Sequence, residues 1–153
     1  MKSEKMFVVK EYDVPIPGDA AVLDLSKIEL NHCLGCWACW WTTPGRCAHK
    51  DLDEFYSSYL SADTVCIYCE AVQGFVSANM KAMIDRMIPL ALPYISWETG
   101  ESLHEARYSK YPKVEVVYKG DFLPGEEDAF IVYWKRTAYM MFAPGFIARR
   151  FDV

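Results

Sequence analysis

The chain has 153 residues, 52% hydrophobic and 24% charged, which supports one globular domain over 1–153 and excludes a disordered chain. Its net charge of −5 leaves no basic footprint for nucleic acid. No apolar run is long enough to cross a bilayer and residues 1–7 lack an apolar signal core, so the reading is a cytoplasmic protein with no membrane partner.

Residues 6–10 (Met-Phe-Val-Val-Lys) read as a short strand, after which Pro15, Pro17 and Gly18 turn the chain towards a second strand over 20–25. The next segment holds four of the six cysteines, spaced Cys33-x2-Cys36-x2-Cys39-x7-Cys47, and reads as loop with at most one helical turn. Asp51 is expected to open a helix reaching about Leu60, with Glu54 completing a capping box. The apolar run over 64–69 suits a strand buried on both faces, and it points Cys66 and Cys69 to opposite sides. Ser77 can then cap a helix whose apolar face is Met80, Met83, Ile84, Met87 and Ile88, ended by Pro89 and Pro93.

Residues 94–112 show no period and are expected to be irregular, with His104 in a solvated polar loop. A further strand covers 114–118. Glu126, Glu127 and Asp128 then suit the first turn of a last helix, whose buried stripe is Phe130, Ile131, Trp134, Ala138, Met141 and Phe142. Pro144 and Gly145 stop that helix. Strands alternating with helices predict an α/β fold with a mostly parallel sheet.

The cysteine run allows three chemistries. Three thiolates in a Cys-x2-Cys-x2-Cys turn, with Cys47 as the fourth, can surround a [4Fe–4S] cluster. Zinc fits less well, because structural zinc sites use two separated pairs. Reduced thiols packed beside Trp37, Trp40 and Trp41, or used for redox work, suit the same residues.

Several segments together resemble the flavodoxin-like NAD(P)H-dependent FMN reductases and iron–sulfur flavoproteins. They are Cys33-Leu34-Gly35-Cys36-Trp37-Ala38-Cys39-Trp40, Thr43-Pro44-Gly45-Arg46-Cys47, Lys50-Asp51, Ser61-Ala62-Asp63, Gly74-Phe75-Val76-Ser77-Ala78-Asn79-Met80-Lys81 and Ile84-Asp85-Arg86-Met87-Ile88-Pro89. The resemblance covers 22–94 well and 110–142 loosely. It implies a flavodoxin-like three-layer sandwich, usually dimeric, with FMN at the carboxyl edge of the sheet. On that pattern Tyr68, Cys69, Glu70, Ala71, Val72, Gly74 and Ser77 would lie by the cofactor, and NAD(P)H would reduce FMN for a small acceptor. In the iron–sulfur branch Cys33, Cys36, Cys39 and Cys47 would be the cluster ligands. Asp85 and Arg86 match a pair expected to organise packing.

Two departures are visible. No Gly-Ser-x-Arg turn and helix follow the first strand, so the fold is expected to be shortened at its N-terminus and to lack the usual phosphate grip. Where relatives carry a Ser-Pro or Thr-Pro pair, this chain has Cys69-Glu70, a carboxylate that would oppose a reduced flavin. The alternative to an FMN reductase is a degenerate flavodoxin-like binding or assembly subunit without flavin, either a homodimer or paired with a chain that completes its sheet. A third reading is an electron-transfer module built on the four cysteines.

Overall fold

A computed structural model describes residues 4–151. Five strands form one parallel sheet: β1 (Met6–Lys10), β2 (Ala21–Asp24), β3 (Thr64–Val72), β7 (Lys113–Lys119) and β8 (Phe146–Arg150), in the spatial order β2-β1-β3-β7-β8. This is the flavodoxin-type order, with its topological switch point between β1 and β3. The short β4 (Phe75–Val76) pairs antiparallel with the end of β3. It closes a two-residue hairpin in which Gln73 and Gly74 both have positive φ, 51° and 72°.

Register explains the two faces. Phe7, Val65 and Val114 align in one row, and Val9, Ile67 and Val116 in the next. These residues meet the apolar stripes of α2 (Asp53–Ser61), α3 (Ala78–Asp85) and α4 (Glu126–Met140) in a single core that includes Phe55, Tyr59, Met80, Met83, Phe130 and Trp134. All three of these helices therefore lie on one side of the sheet.

The opposite side is covered differently. Val8, Cys66 and Val117 face it and are buried, with no helix above them. The 11–20 segment folds back there: the Tyr12 ring packs edge-on against Tyr68 and Phe151, and its hydroxyl donates to the Val117 carbonyl at 3.1 Å. Parallel neighbours usually need a crossover of about a dozen residues or more, most often a helix. Here residues 11–20 cross from β1 to β2 without one. The expected shortening therefore removes a helix and leaves the five strands in place.

Local expectations divide. The strands at 6–10, 20–25, 64–69 and 114–118 form, and Ser77 caps α3, its Oγ accepting from the Met80 N–H at 3.0 Å. The capping box at Asp51 does not form. Lys50–Leu52 is a 3-10 turn, and the Asp51 carboxylate is drawn away to Arg86 and Asn31. Residues 94–112 are not irregular throughout, since β5 (Ala91–Ser96) and β6 (Leu103–Ala106) make an antiparallel hairpin. The final strand β8, beyond Pro144-Gly145, is an element the sequence pattern does not announce. The short α1 (Ala38–Trp41) is the one helical turn expected within the cysteine loop.

Candidate functional site

Two places on this fold carry chemistry. The first is the carboxyl edge of the sheet, where open α/β folds bind ligands at the switch point. Glu11 follows β1 directly and is stitched across that point. Its N–H donates to the Tyr68 carbonyl at 3.0 Å. One carboxylate oxygen accepts the Glu70 N–H at 2.8 Å, and the other accepts the Ser77 hydroxyl. Ser77 is the N-cap of α3, so Glu11 places a negative charge at the positive end of that helix. Burial, outweighing the two hydrogen bonds, pushes the Glu11 carboxyl above its ordinary range, and the neighbouring Glu70 adds to the shift.

The rest of the edge is tightly joined. Lys119 pairs with Glu70 at 3.4 Å, and Glu126 lies against Gly74 while accepting the Leu123 N–H at 2.8 Å. Gly120, at φ 135°, passes so close to β3 that an added Cβ would stand 2.7 Å from the Ala71 carbonyl. Five cavities on the described residues are all lined by residues outside 68–77.

The residues expected beside a flavin are spread over three settings. Cys69 and Ala71 point into the helix-side core, and burial pushes the Cys69 thiol far up. Tyr68 faces the opposite side against Tyr12, while Glu70 and Val72 are exposed. Gly74 forms the hairpin turn, and Ser77 is engaged with Glu11. A flavin phosphate does not fit this edge. No helix follows β1, and the hydroxyl and N–H donors nearest the switch point already hold a carboxylate.

The second place is the cysteine corner. Helix α3 clamps both ends of the cysteine loop with two residues. Asn79 accepts the Leu30 N–H at 2.9 Å and donates to the carbonyls of Leu25 at 2.9 Å and Ile28 at 2.7 Å. Arg86, fully buried, donates to the Asn31 carbonyl at 3.1 Å, the His49 carbonyl at 3.0 Å and the Asp51 carboxylate. Although burial pushes Asp51 up, its bonds from Arg86 and Asn31 hold it well below the usual carboxylate range. Of the Asp85-Arg86 pair, Arg86 thus organises packing, while Asp85 pairs with Lys81 on the surface.

Cys33, Cys36, Cys39 and Cys47 all line one cavity of about 50 Å³, together with Trp37, Arg86, Ile88 and Pro89. Cys47 lies against the Arg86 guanidinium. Burial raises the Cys39 thiol above its ordinary value, and the proximity of Cys47, Cys33 and Cys36 raises it further. Convergence stops there: among the described residues no three His, Cys, Asp or Glu side chains stand close enough to hold a metal ion. The ligand set expected from the iron–sulfur branch is gathered around one cavity but not assembled.

Around this corner Trp40 is the anchor. Its Nε1–H donates to the Ala91 carbonyl at 3.0 Å, and its ring lies 4.8 Å from that of His104 on β6. His104 is therefore half-buried in a hairpin rather than free in a polar loop. Sequence reasoning missed Glu11, whose signal is only a carboxylate following a strand, and the clamping role of Asn79.

No protein-family model and no curated protein matches the sequence. Among solved structures the chain is similar to an azoreductase from Bacillus anthracis str. Sterne, with a TM-score of 0.64 at 14% identity over 97% of this chain and 86% of that one. For the azoreductase AzrA the TM-score is 0.63 at 14% identity, over 95% of this chain and 86% of that one. A Trp repressor binding protein from Bacillus subtilis gives 0.56 at 14% identity, over 97% and 88%. At such identity the likeness is one of architecture. The chain has the flavodoxin-like α/β fold that its resemblance to FMN reductases implied.

Proposed function

We propose that this chain works as a flavodoxin-fold binding or assembly subunit that takes no flavin of its own. The observation that supports this reading is the Glu11 carboxylate fixed to the Glu70 N–H and the Ser77 hydroxyl across the β1–β3 switch point. Hydride transfer from NAD(P)H through FMN to a small acceptor needs the FMN phosphate held by backbone N–H groups and a helix N-terminus. In this chain the turn and helix that would supply those donors after β1 are absent, the Glu11 carboxylate holds the Glu70 N–H and the Ser77 hydroxyl at the switch point, and the Glu70 carboxylate stands beside it. A phosphate brought there would meet like charge in a partly desolvated setting, which is strongly unfavourable.

The test is titration of FMN into the flavin-free chain, followed by flavin fluorescence and calorimetry, together with an assay of NAD(P)H oxidation. No saturable binding and no FMN-dependent oxidation are expected. Stoichiometric uptake of FMN would overturn the reading.

A second reading is favoured by the cavity that all four clustered cysteines line beside Arg86. On that reading Cys33, Cys36, Cys39 and Cys47 would hold a [4Fe–4S] cluster, a one-electron carrier whose negative charge Arg86 would offset. Anaerobic reconstitution with iron and sulfide, read by visible absorption, separates the two: brown colour lost in Cys36→Ser supports the cluster, and a colourless product counts against it.

A further inference from the structure

We propose that Cys39 and Cys47 are a dithiol redox pair that exchanges with low-molecular-weight disulfides, Cys47 attacking and Cys39 closing the new bond. The exchange goes beyond the readings above, because it needs neither flavin nor iron.

The backbone brings the pair together. The Thr43 N–H donates to the Ala38 carbonyl at 2.8 Å, the Gly45 N–H to the Cys39 carbonyl at 3.0 Å, and the Arg46 N–H to the Thr43 carbonyl at 2.9 Å. Gly45 allows the return at φ 82°, a conformation that glycine adopts without strain. The residues just before Cys47 are thereby laid beside Cys39. The side chains agree with the backbone. Both cysteines line the same cavity of about 50 Å³, and of the neighbouring thiols Cys47 acts on Cys39 most strongly, ahead of Cys33 and Cys36. Cys66 and Cys69, buried on β3, are not among the lining residues.

Differences between the two settings assign the roles. Arg86 is the cation in the cavity lining and lies against Cys47. Its side chain is fully buried, and its Nε has no hydrogen-bond partner among the described residues. A partly exposed cysteine beside a cation is the setting in which a thiolate serves as nucleophile, and Cys47 is half-buried there. Cys39 sits on α1, which the Trp40 bond to Ala91 pins in place, so it is held as the resolving thiol. A half-buried sulfur over so small a cavity suits a small disulfide rather than one carried by a folded protein.

The exchange balances without a further reactant. The Cys47 thiolate attacks one sulfur of the small disulfide, whose S–S bond breaks and releases the other half as a thiolate. Cys39 then gives up its proton to solvent and its sulfur attacks the Cys47 Sγ. The mixed disulfide breaks, the second half leaves as a thiolate, and both released thiolates take up protons. Two electrons have passed from the protein pair to the small disulfide, and the reverse sequence reduces the pair again.

The test incubates the fully reduced chain with graded ratios of bis(2-hydroxyethyl) disulfide and its thiol, without flavin or iron. Acid quenching, alkylation and peptide mapping by mass spectrometry then locate each bond. A Cys39–Cys47 disulfide is expected to form first, while Cys33 and Cys36 can still be alkylated. In Cys39→Ser the reaction should stop at the mixed disulfide, which should build up on Cys47 at least about tenfold faster than on Cys33 or Cys36. Those two are the more exposed thiols, so exposure by itself would give the reverse order. Circular dichroism establishes that the variant is folded, and mapping of the parent chain decides the pairing whether or not it is. A Cys33–Cys36 disulfide forming first, or no disulfide within the chain, overturns the inference. So does a trapped adduct that prefers Cys33 or Cys36. FMN uptake and cluster reconstitution are separate measurements, so either can fail without deciding this one.

Discussion

The cysteine corner and the carboxyl edge are each organised around one carboxylate, Asp51 beside a buried arginine and Glu11 half-buried at the switch point, and the two carboxylates behave in opposite ways. Asp51 sits with the Arg86 guanidinium and two bonds from Asn31, and is held well below its usual range. Among the described residues Glu11 has no cation on it; burial dominates and Glu70 stands nearby, so it is pushed up. The corner thus has charge compensation around a small cavity, and the edge has charge introduced into a crevice that it closes. In a fold that would bind a phosphate at the edge, the compensation would be expected at the edge instead. On the proposed reading, that inversion is what would separate this chain chemically from a flavin carrier with the same architecture.

The largest break in this contrast should come from Arg86→Ala. Removing the buried Arg86 side chain leaves a cavity and takes one donor from Asp51 and from each of two carbonyls, and about 3 kcal/mol of unfolding free energy should be lost, read by urea titration. A loss below ~1 kcal/mol would mean that the corner does not depend on Arg86. The edge should respond to Gly120→Ala, where the new methyl meets the Ala71 carbonyl and the backbone is left-handed, at about 1–3 kcal/mol. Equal stability of this variant would show that β3 and the 119–121 turn are not as tightly joined as the geometry implies.

A smaller effect distinguishes the two carboxylates by pH. The folded value of Glu11 is raised, so its contribution is fully present below the ordinary glutamate range and is lost as pH rises through the folded value. Glu11→Gln should therefore gain stability relative to the parent between about pH 4 and neutrality. Asp51 has the opposite sign. Its contribution is present above the ordinary aspartate range and fades as pH falls, so Asp51→Asn should cost most at neutral pH and least in acid. Parallel pH profiles for the two variants would remove the distinction. The smallest effect costs no stability: iodoacetamide should modify Cys33 and Cys36 well before Cys66 and Cys69, which are buried with raised thiols. Peptide mapping after brief labelling reads this order.

Much of the architecture was legible because it follows from short-range pattern. Runs such as 64–69 are apolar on both faces and can only be inner strands. Ser77 before Met80, Met83 and Ile84 announces a capped helix. The hairpin at 91–106 was not legible, because Pro93 and mixed burial hide its alternation, and neither was β8, whose outward residues Ile147 and Arg149 make it look like a tail. The failed capping box at Asp51 has a long-range cause: Arg86, distant in sequence, outbids the local N–H groups for the carboxylate.

Sequence by itself determined the parallel α/β architecture, the missing first helix and the clustering of four cysteines, since each depends on periodicity and spacing along the chain. Tertiary structure alone decided what the two chemical regions hold. Glu11, Glu70 and Ser77 meet only because β1 and β3 are neighbours in the sheet. The four cysteines share a cavity with Arg86 only because α3 clamps the loop at both ends. Both are contacts between residues far apart in the chain, and their energies come from burial and from charges that no local pattern records.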